Sequence, residues 1–465
     1  MQRVGSAILE QGMGNEKASK VSQDGGDRQP DGDRKTVFLV VIMLVIDLLA
    51  FTMILPLLPT LLDYYGEHDE SGLYDWLVDK VADFRDLLGA PDTRKFNSVL
   101  FGGLVGSLFS LLQFLASPVI GALSDVYGRK PMMLLSMVGV AISYGVWALS
   151  SNFLIFVLAR VIGGISKGNV SLSTAIVTDV STPKTRGRGM AMIGVAFSVG
   201  FTVGPMIGAA FTRMSTGAEG FYIAPALFAL TLAVIDILVI FVAFKETLPA
   251  ERRSKSLGSG VSGALDYINP VSLFRFSAVQ QVSVKDKVMM ARLGLIYFLY
   301  LFLYSGLEFT LTFLTHMRYH YTSMQQGKMF CFIGIIMALV QGGYVRRVKA
   351  GNEKRTALMG LILVIPSFVI IGIGVSPSIF YVGLALYSFS SATVVPCITT
   401  MISSYGSTEQ KGTMIGIFRS LGALARALGP FVACGVYWIA GPMPCYTIGA
   451  ALLFFPLLLL HHTKM

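Results

Sequence analysis

Charge is what this chain has least of: 14% of its 465 residues are Asp, Glu, Lys or Arg, against roughly a quarter in an ordinary soluble domain. Together with 54% hydrophobic residues and a mean hydropathy of +0.66, that shortage excludes a water-soluble enzyme or binding module. Cysteine is scarce too. Cys331, Cys397, Cys434 and Cys445 fall in or beside apolar runs without paired spacing, so neither a disulfide framework nor a metal site is expected. The five histidines, His68, His316, His320, His461 and His462, lie at the ends of those runs or between them. No HExxH or phosphate-cradling Walker sequence occurs, which leaves metalloprotease and ATP-driven chemistry without their residues. No enzyme activity, cofactor or metal is therefore expected. A signal peptide is also missing: residues 1–35 have no apolar core and are rich in Gly, Asp and Gln. They read as a disordered cytosolic leader, with the first apolar run acting as its own insertion signal. The sequon at Asn169 falls inside an apolar run, out of reach of glycosylation.

Long apolar runs are what is there. They cover about 36–62, 98–122, 131–149, 154–179, 187–212 and 221–244, then about 292–316, 326–345, 356–375, 378–403, 411–436 and 440–460. Each is long enough to cross the hydrocarbon core as a helix, so the expected fold is an all-α membrane protein of twelve spans in two six-helix halves. The expected domains are a leader 1–35, a first half 36–245, a cytosolic linker 246–291, a second half 292–461 and a short tail 462–465. Charge fixes the orientation. With both termini in the cytosol, 26 of the 37 Lys and Arg fall on the cytosolic side, seven on the other and four inside spans, as the positive-inside rule requires. The net charge of +10 then follows from basic residues facing anionic lipid, and no nucleic-acid partner is needed. A monomer in the cell membrane is expected, with an internal membrane, the nuclear envelope included, as the alternative.

The loop 63–97 is acidic, nine acids against four bases. Leu73, Trp76, Leu77, Val81, Phe84 and Leu88 recur there at helical spacing, which predicts an amphipathic helix over the outer mouth, resting at the interface or acting as a lid. The two halves also repeat: a shift of 225 residues lays Arg186 and Gly187 on Lys411 and Gly412, and Gly204 and Pro205 on Gly429 and Pro430. Such a parallel repeat is a transporter signature.

Four cations lie deep in spans: Arg160 and Lys167 in span 4, and Arg419 and Arg426 in span 11. Each costs about 2.5–3.5 kcal/mol to insert, which is too much for decoration. Each pair is seven residues apart, two helical turns, so each is expected to share one face, with Gly164, Ser171 and Thr174 continuing the stripe in span 4. The candidate carboxylates are Asp47 in span 1 and Glu308 in span 7; Gln113, Asn169 and Ser420 could add neutral hydrogen bonds. Internal ion pairs, Asp47 with Arg160 and Glu308 with Arg426, are one reading. Four cations against two carboxylates favour another: a central cavity that takes an organic anion on Arg160, Lys167, Asn169, Gln113, Arg419 and Arg426. Asp47 and Glu308 are then candidates for coupling to protons, because burial and a nearby cation act on a carboxyl in opposite directions. Asp236 in span 6 is one further deep acid.

Three motifs have mechanical readings. In "GALSDVYGRKPMM", Gly121 and Gly128 permit a tight turn. Asp125 is expected at the positive N-terminus of a neighbouring helix, and Arg129 and Lys130 on Asp179, forming a latch between conformational states. Gly200, Gly204 and Gly208 recur every four residues, allowing close helix approach, and Pro205 favours a bend. These motifs resemble the major facilitator superfamily. "GALSDVYGRKPMM" is similar to its loop signature, Arg160 to its intramembrane arginine, "GFTVGPMIG" to the glycine-proline motif of its drug:proton antiporters, and "IDLLAFTMILPLLPTLL" to span 1 of bacterial tetracycline exporters. "FNSVLFGGLVGS", "RVIGGISKGNVSLSTAIV", "SGLEFTLTFLTHMR" and "RSLGALARALGP" narrow the resemblance to an animal branch of tetracycline-exporter-like carriers. It covers almost everything from about residue 36 onward. It departs in the second half, where Arg347 of "GGYVRRVKAGNEKR" stands in the place of Asp125.

What the resemblance implies is a carrier that alternates access and moves organic anions and some drugs, as a proton-linked antiporter or efflux carrier. A symporter or facilitator is the alternative within that class. Outside it stands a transport-inactive scaffold working through loop 245–291, against which the retained intramembrane charges speak.

Overall fold

The computed structural model describes residues 31–88, 96–182, 185–214, 222–253, 268–279, 282–349, 351–405 and 411–463. The expected leader up to residue 30, much of the expected linker (254–267) and residues 464–465 lie outside them. Among the described residues, twelve helices are long and apolar enough to cross a membrane. Spans 1–6 are Arg34–Thr52, Asn97–Tyr127, Arg129–Ala148, Phe153–Val180, Met192–Phe211 and Ile223–Ala243. Spans 7–12 are Val284–Tyr319, Ser323–Arg347, Glu353–Ile373, Pro377–Ile402, Gly416–Ala440 and Pro442–His461.

Helix starts follow local chemistry. Asn152 accepts the amide of Ile155 (3.0 Å) at the start of span 4, Ser283 accepts that of Asp286 (3.1 Å) at span 7, and Thr322 and Gln325 form a reciprocal capping box at span 8. Two spans of the first half are interrupted. Span 1 leaves helix after Thr52 and resumes as helix Leu58–His68, with Pro59 in its first turn. Span 4 stops at Ser166 and restarts at Asn169.

Packing repeats between the halves. Span 1 lies on span 5 as span 7 lies on span 11, span 3 on spans 4 and 6 as span 9 on spans 10 and 12. The halves meet along two related seams, span 2 on span 11 and span 5 on span 8. Small residues set the closest approaches. A β-carbon on Gly200, Gly204 or Gly208 would strike Leu48 Cβ, Thr52 Oγ1 or the carbonyl of Met53 respectively. Thr52 Oγ1 also donates to the carbonyl of Gly200 (2.8 Å), tying span 1 to span 5. In the second half, a β-carbon on Gly306 would sit 2.6 Å from the carbonyl of Gly429, so the repeated glycine serves the repeated seam. Pro205 and Pro430 lie inside unbroken helices.

The loop helix forms at Leu73–Leu88 and is moored to the first half. Asp69 accepts amides of Tyr74 (2.9 Å), Ser71 (3.2 Å) and Phe153 (3.0 Å), and the Tyr74 ring stands edge-on to Phe101 (4.9 Å) and Phe153 (5.4 Å). Partial burial would raise the Asp69 carboxyl, but these amides outweigh it and hold it below its ordinary value.

Candidate functional site

The centre of the first half is built on the break in span 4. Lys167 caps the upper helix at φ −76°, ψ 57°, and Gly168 follows, where a β-carbon would lie 2.6 Å from Ile120. Span 2 closes the gap: Ser117 Oγ donates to the Lys167 carbonyl (3.3 Å) and Ser171 Oγ donates to the Ser117 carbonyl (3.3 Å). The break falls between Lys167 and Asn169, and so corrects the expectation that Ser171 and Thr174 continue the face of Arg160 and Lys167 along one unbroken helix.

It also corrects the expectation that Lys167 lacks an acidic partner. Lys167 Nζ sits 2.5 Å from Asp47 Oδ1, with the two residues 3% and 1% exposed. Asp47 Oδ2 has no hydrogen-bond partner among the described residues. Asp236, 1% exposed, is within Coulombic reach of both. Arg160 does not pair with Asp47; its guanidinium carbon lies 4.1 Å from the centre of the Phe109 ring. Phe109 stacks on Phe51 at 5.3 Å and 28°, and Lys167 Nζ lies 4.9 Å from the centre of Phe51. The two cations of span 4 thus share a stacked aromatic pair, and each cation–ring contact is attractive. Asn169 is buried, 2% exposed, with Oδ1 lacking a partner among the described residues. It sits in packed interior, whereas Gln113, one turn beyond Phe109, is half-buried.

Across the seam, Glu308 takes a hydrogen bond from Tyr387 OH at 2.5 Å. It forms no ion pair with Arg426, although Arg426 lies within Coulombic reach. Tyr387 is fully buried, stacked flat on Tyr304 (4.8 Å, 8°) and edge-on to Phe368 (5.9 Å). Arg426 is exposed, with no ion pair or hydrogen bond among the described residues. Arg419, on the same unbroken helix, donates to Thr174 Oγ1 of span 4. Phe309 meets Gly106 of span 2, where a β-carbon would lie 2.7 Å from its ring.

The halves touch unequally at the two ends. At the end carrying Asp63, His316 Nε2 lies 3.0 Å from Asp63 Oδ2, Trp438 Nε1 donates to Asn97 (3.0 Å), and Gly102 and Gly103 admit Phe313 and Cys434. Toward the end carrying Asp125, the polar contacts between halves among the described residues are Arg419 with Thr174 and Ser198 Oγ with Gln341 (3.3 Å).

The loop between spans 2 and 3 forms a charged cluster inside the first half. Gly128 takes φ 105°, a value that favours glycine. Arg129 donates to Asp179 (2.8 Å), Ser124 (2.6 Å) and Asp125 (2.6 Å). Asp125 thus pairs with Arg129 rather than with a helix end. Glu246 holds that place, accepting the first two amides of span 3, those of Arg129 (2.9 Å) and Lys130 (3.1 Å). Lys130 does not meet Asp179; its Nζ donates to the carbonyl of Phe241 (2.9 Å). Gly121 has open space around it. In the corresponding second-half loop, Arg346 and Arg347 are exposed and form no ion pair among the described residues. The residues that sequence reading passed over are Glu246, Tyr387, Phe51, Phe109 and the pair Asp63 and His316. Of these, Glu246 had a signal, as the acid of "KETLP" closing span 6.

Comparison with known proteins agrees with this architecture. Residues 40–430 match the family model of the Major Facilitator Superfamily. The chain is 51% identical to the human "Major facilitator superfamily domain-containing protein 10" over 93% of this chain and 94% of that one. It is 24% identical to the class C tetracycline resistance protein of Escherichia coli over 72% of this chain and 79% of that one. Among solved structures, the crystal structure of the human organic anion transporter MFSD10 (TETRAN) superposes with a TM-score of 0.77 at 50% identity, covering 93% of this chain and 100% of that one.

Proposed function

The chain belongs to the major facilitator superfamily and is a multi-pass membrane transporter; from that premise we propose that it carries organic anions by alternating access, as a proton-linked antiporter or efflux carrier. The observation that carries this reading is the surplus of guanidinium groups between the halves. Arg160, Arg419 and Arg426 have no carboxylate within ion-pair distance among the described residues, while Lys167 has taken Asp47. A cation kept deep in a membrane protein without a counter-ion marks a functional site, and an anion from solution would neutralise it. The human relative, described as an organic anion transporter, points the same way.

In this scheme Arg160, Arg426, Arg419 and Gln113 face the anion. Asn169 and Lys167 support the span 4 break, and Lys167 exchanges Asp47 for substrate. Protonation of Asp47 would release Lys167, which links proton and anion at one ion pair; Glu308 is the corresponding group in the second half. The close contacts at the Asp63 end fit an inward-facing state, with both termini cytosolic and the halves spanning 36–245 and 292–461. The cluster of Gly121, Asp125, Gly128, Arg129, Lys130, Asp179 and Glu246 acts as the latch, rigidifying one half so that it rocks as a body.

The test is uptake and efflux of fluorescein, an anionic dye, in vesicles reconstituted with the full chain, with and without a pH gradient. Native protein should move the dye and Arg426→Ala should not. Unchanged transport by a folded Arg426→Ala protein would sink the anion cavity, and indifference to the gradient would remove proton coupling.

A further inference from the structure

Tyr387 lies outside every motif, yet its hydroxyl makes the hydrogen bond that Glu308 accepts among the described residues, and the arrangement around it is unequal. Span 7 offers a carboxylate, Glu308, and span 11 offers a guanidinium, Arg426, close enough to feel one another. Opposite charges attract strongly in a low-dielectric interior, yet these two form no ion pair. The carboxylate is turned onto the Tyr387 hydroxyl at 2.5 Å, and Arg426 stands exposed on the helix face whose charge also reaches Tyr297. The hydroxyl is rigidly presented: Tyr387 is fully buried, Tyr304 is 5% exposed, and their rings lie parallel at 4.8 Å. Tyr304 stacks in turn on Tyr300 (5.2 Å), whose hydroxyl meets Ser390 (3.1 Å). The groups facing Glu308 are therefore Tyr387 from span 10, Arg426 from span 11 and Tyr300 and Tyr304 from its own span.

We propose that Tyr387 is a positioning residue that holds Glu308 away from Arg426, so that Arg426 is free to receive the transported anion. When Glu308 leaves Tyr387 for Arg426, the carboxylate takes the place of the anion and expels it. One residue of span 10 thereby decides whether Arg426 is a binding site or half of an internal ion pair. The proposal rests on the anion reading above and adds a mechanism for release to it.

The experiment measures equilibrium binding of fluorescein to the purified full-length protein in detergent, by fluorescence anisotropy at one fixed pH. Tyr387→Phe keeps the ring stack and removes only the hydroxyl. It should weaken binding about tenfold or more, the value of one hydrogen bond to a charged group, because Glu308 now competes for Arg426. Glu308→Gln should bind at least as tightly as native protein. The double variant Tyr387→Phe with Glu308→Gln should return to the Glu308→Gln affinity, which also excludes misfolding as the cause of the single loss. Native affinity in Tyr387→Phe, or a double variant as weak as Tyr387→Phe alone, would overturn the proposal while leaving the anion site standing. Equal binding by native protein and Arg426→Ala would overturn the anion reading itself.

Discussion

Replacing Lys167 by methionine tests the centre of the first half most directly. The ammonium lies 2.5 Å from Asp47 Oδ1, which at an effective dielectric of about 20 corresponds to a gross attraction of roughly 6–7 kcal/mol. Most of that attraction is offset by stripping water from both groups. What remains large is the cost of leaving one of them alone. Asp47 is 1% exposed and its second oxygen already lacks a partner, so Lys167→Met should cost about 3–5 kcal/mol, with a further ~0.5–2 kcal/mol from the contact with Phe51. Asp47→Asn should be similarly costly. The double variant Asp47→Asn with Lys167→Met should cost less than the two single changes added together, because it leaves no unpaired buried charge, only an Asn amide worth about 1–3 kcal/mol. The assay is unfolding in mixed micelles of dodecyl maltoside and dodecyl sulfate, with the four proteins forming a double-mutant cycle. Additive single costs in the double variant would refute the reasoning, since they would show that the two groups do not act as a unit.

Three further outcomes follow from the packing and the loops. Gly204→Ala places a methyl on Thr52 Oγ1 and should cost about 1–3 kcal/mol by overpacking, read in the same unfolding assay. Glu246→Gln removes the charge facing the first amides of span 3; it should change the rate of dye transport by roughly two- to five-fold while equilibrium binding stays native. The Asp69 carboxyl is held below its ordinary value by amide hydrogen bonds, so its contribution to holding helix Leu73–Leu88 is present above the unfolded value, near 4, and is lost as pH falls through the lower folded one. Trp76 fluorescence, in a background where Trp147 and Trp438 are phenylalanine, should report that loosening on acidification, and Asp69→Asn should abolish the pH step.

Much was legible in the order of residues because hydropathy and helix period are local properties. A run of twenty apolar residues must become a helix in lipid, where each amide needs a partner within its own segment. Twelve runs and a parallel repeat therefore led to the right architecture. The same locality failed at Lys167. A periodic face continues only along an unbroken helix, and "SKGN" breaks span 4 just after Lys167, where Gly168 must pass close to Ile120, a neighbour contributed by another span. Counting charges found the surplus of cations correctly but could not say which cation was taken. The expected partner of Asp47 is Arg160, but the fold puts Arg160 over Phe109 and Lys167 on Asp47.

The sequence by itself determined the solvent, the number of spans, the repeat and the set of intramembrane charges, since each is written in composition and periodicity. Only the tertiary structure decided the partners: Lys167 with Asp47, Glu308 with Tyr387, Glu246 with the start of span 3, and Arg426 with none among the described residues. Pairing depends on which helices become neighbours and on where one of them breaks, and both are settled by packing between residues tens to hundreds of positions apart.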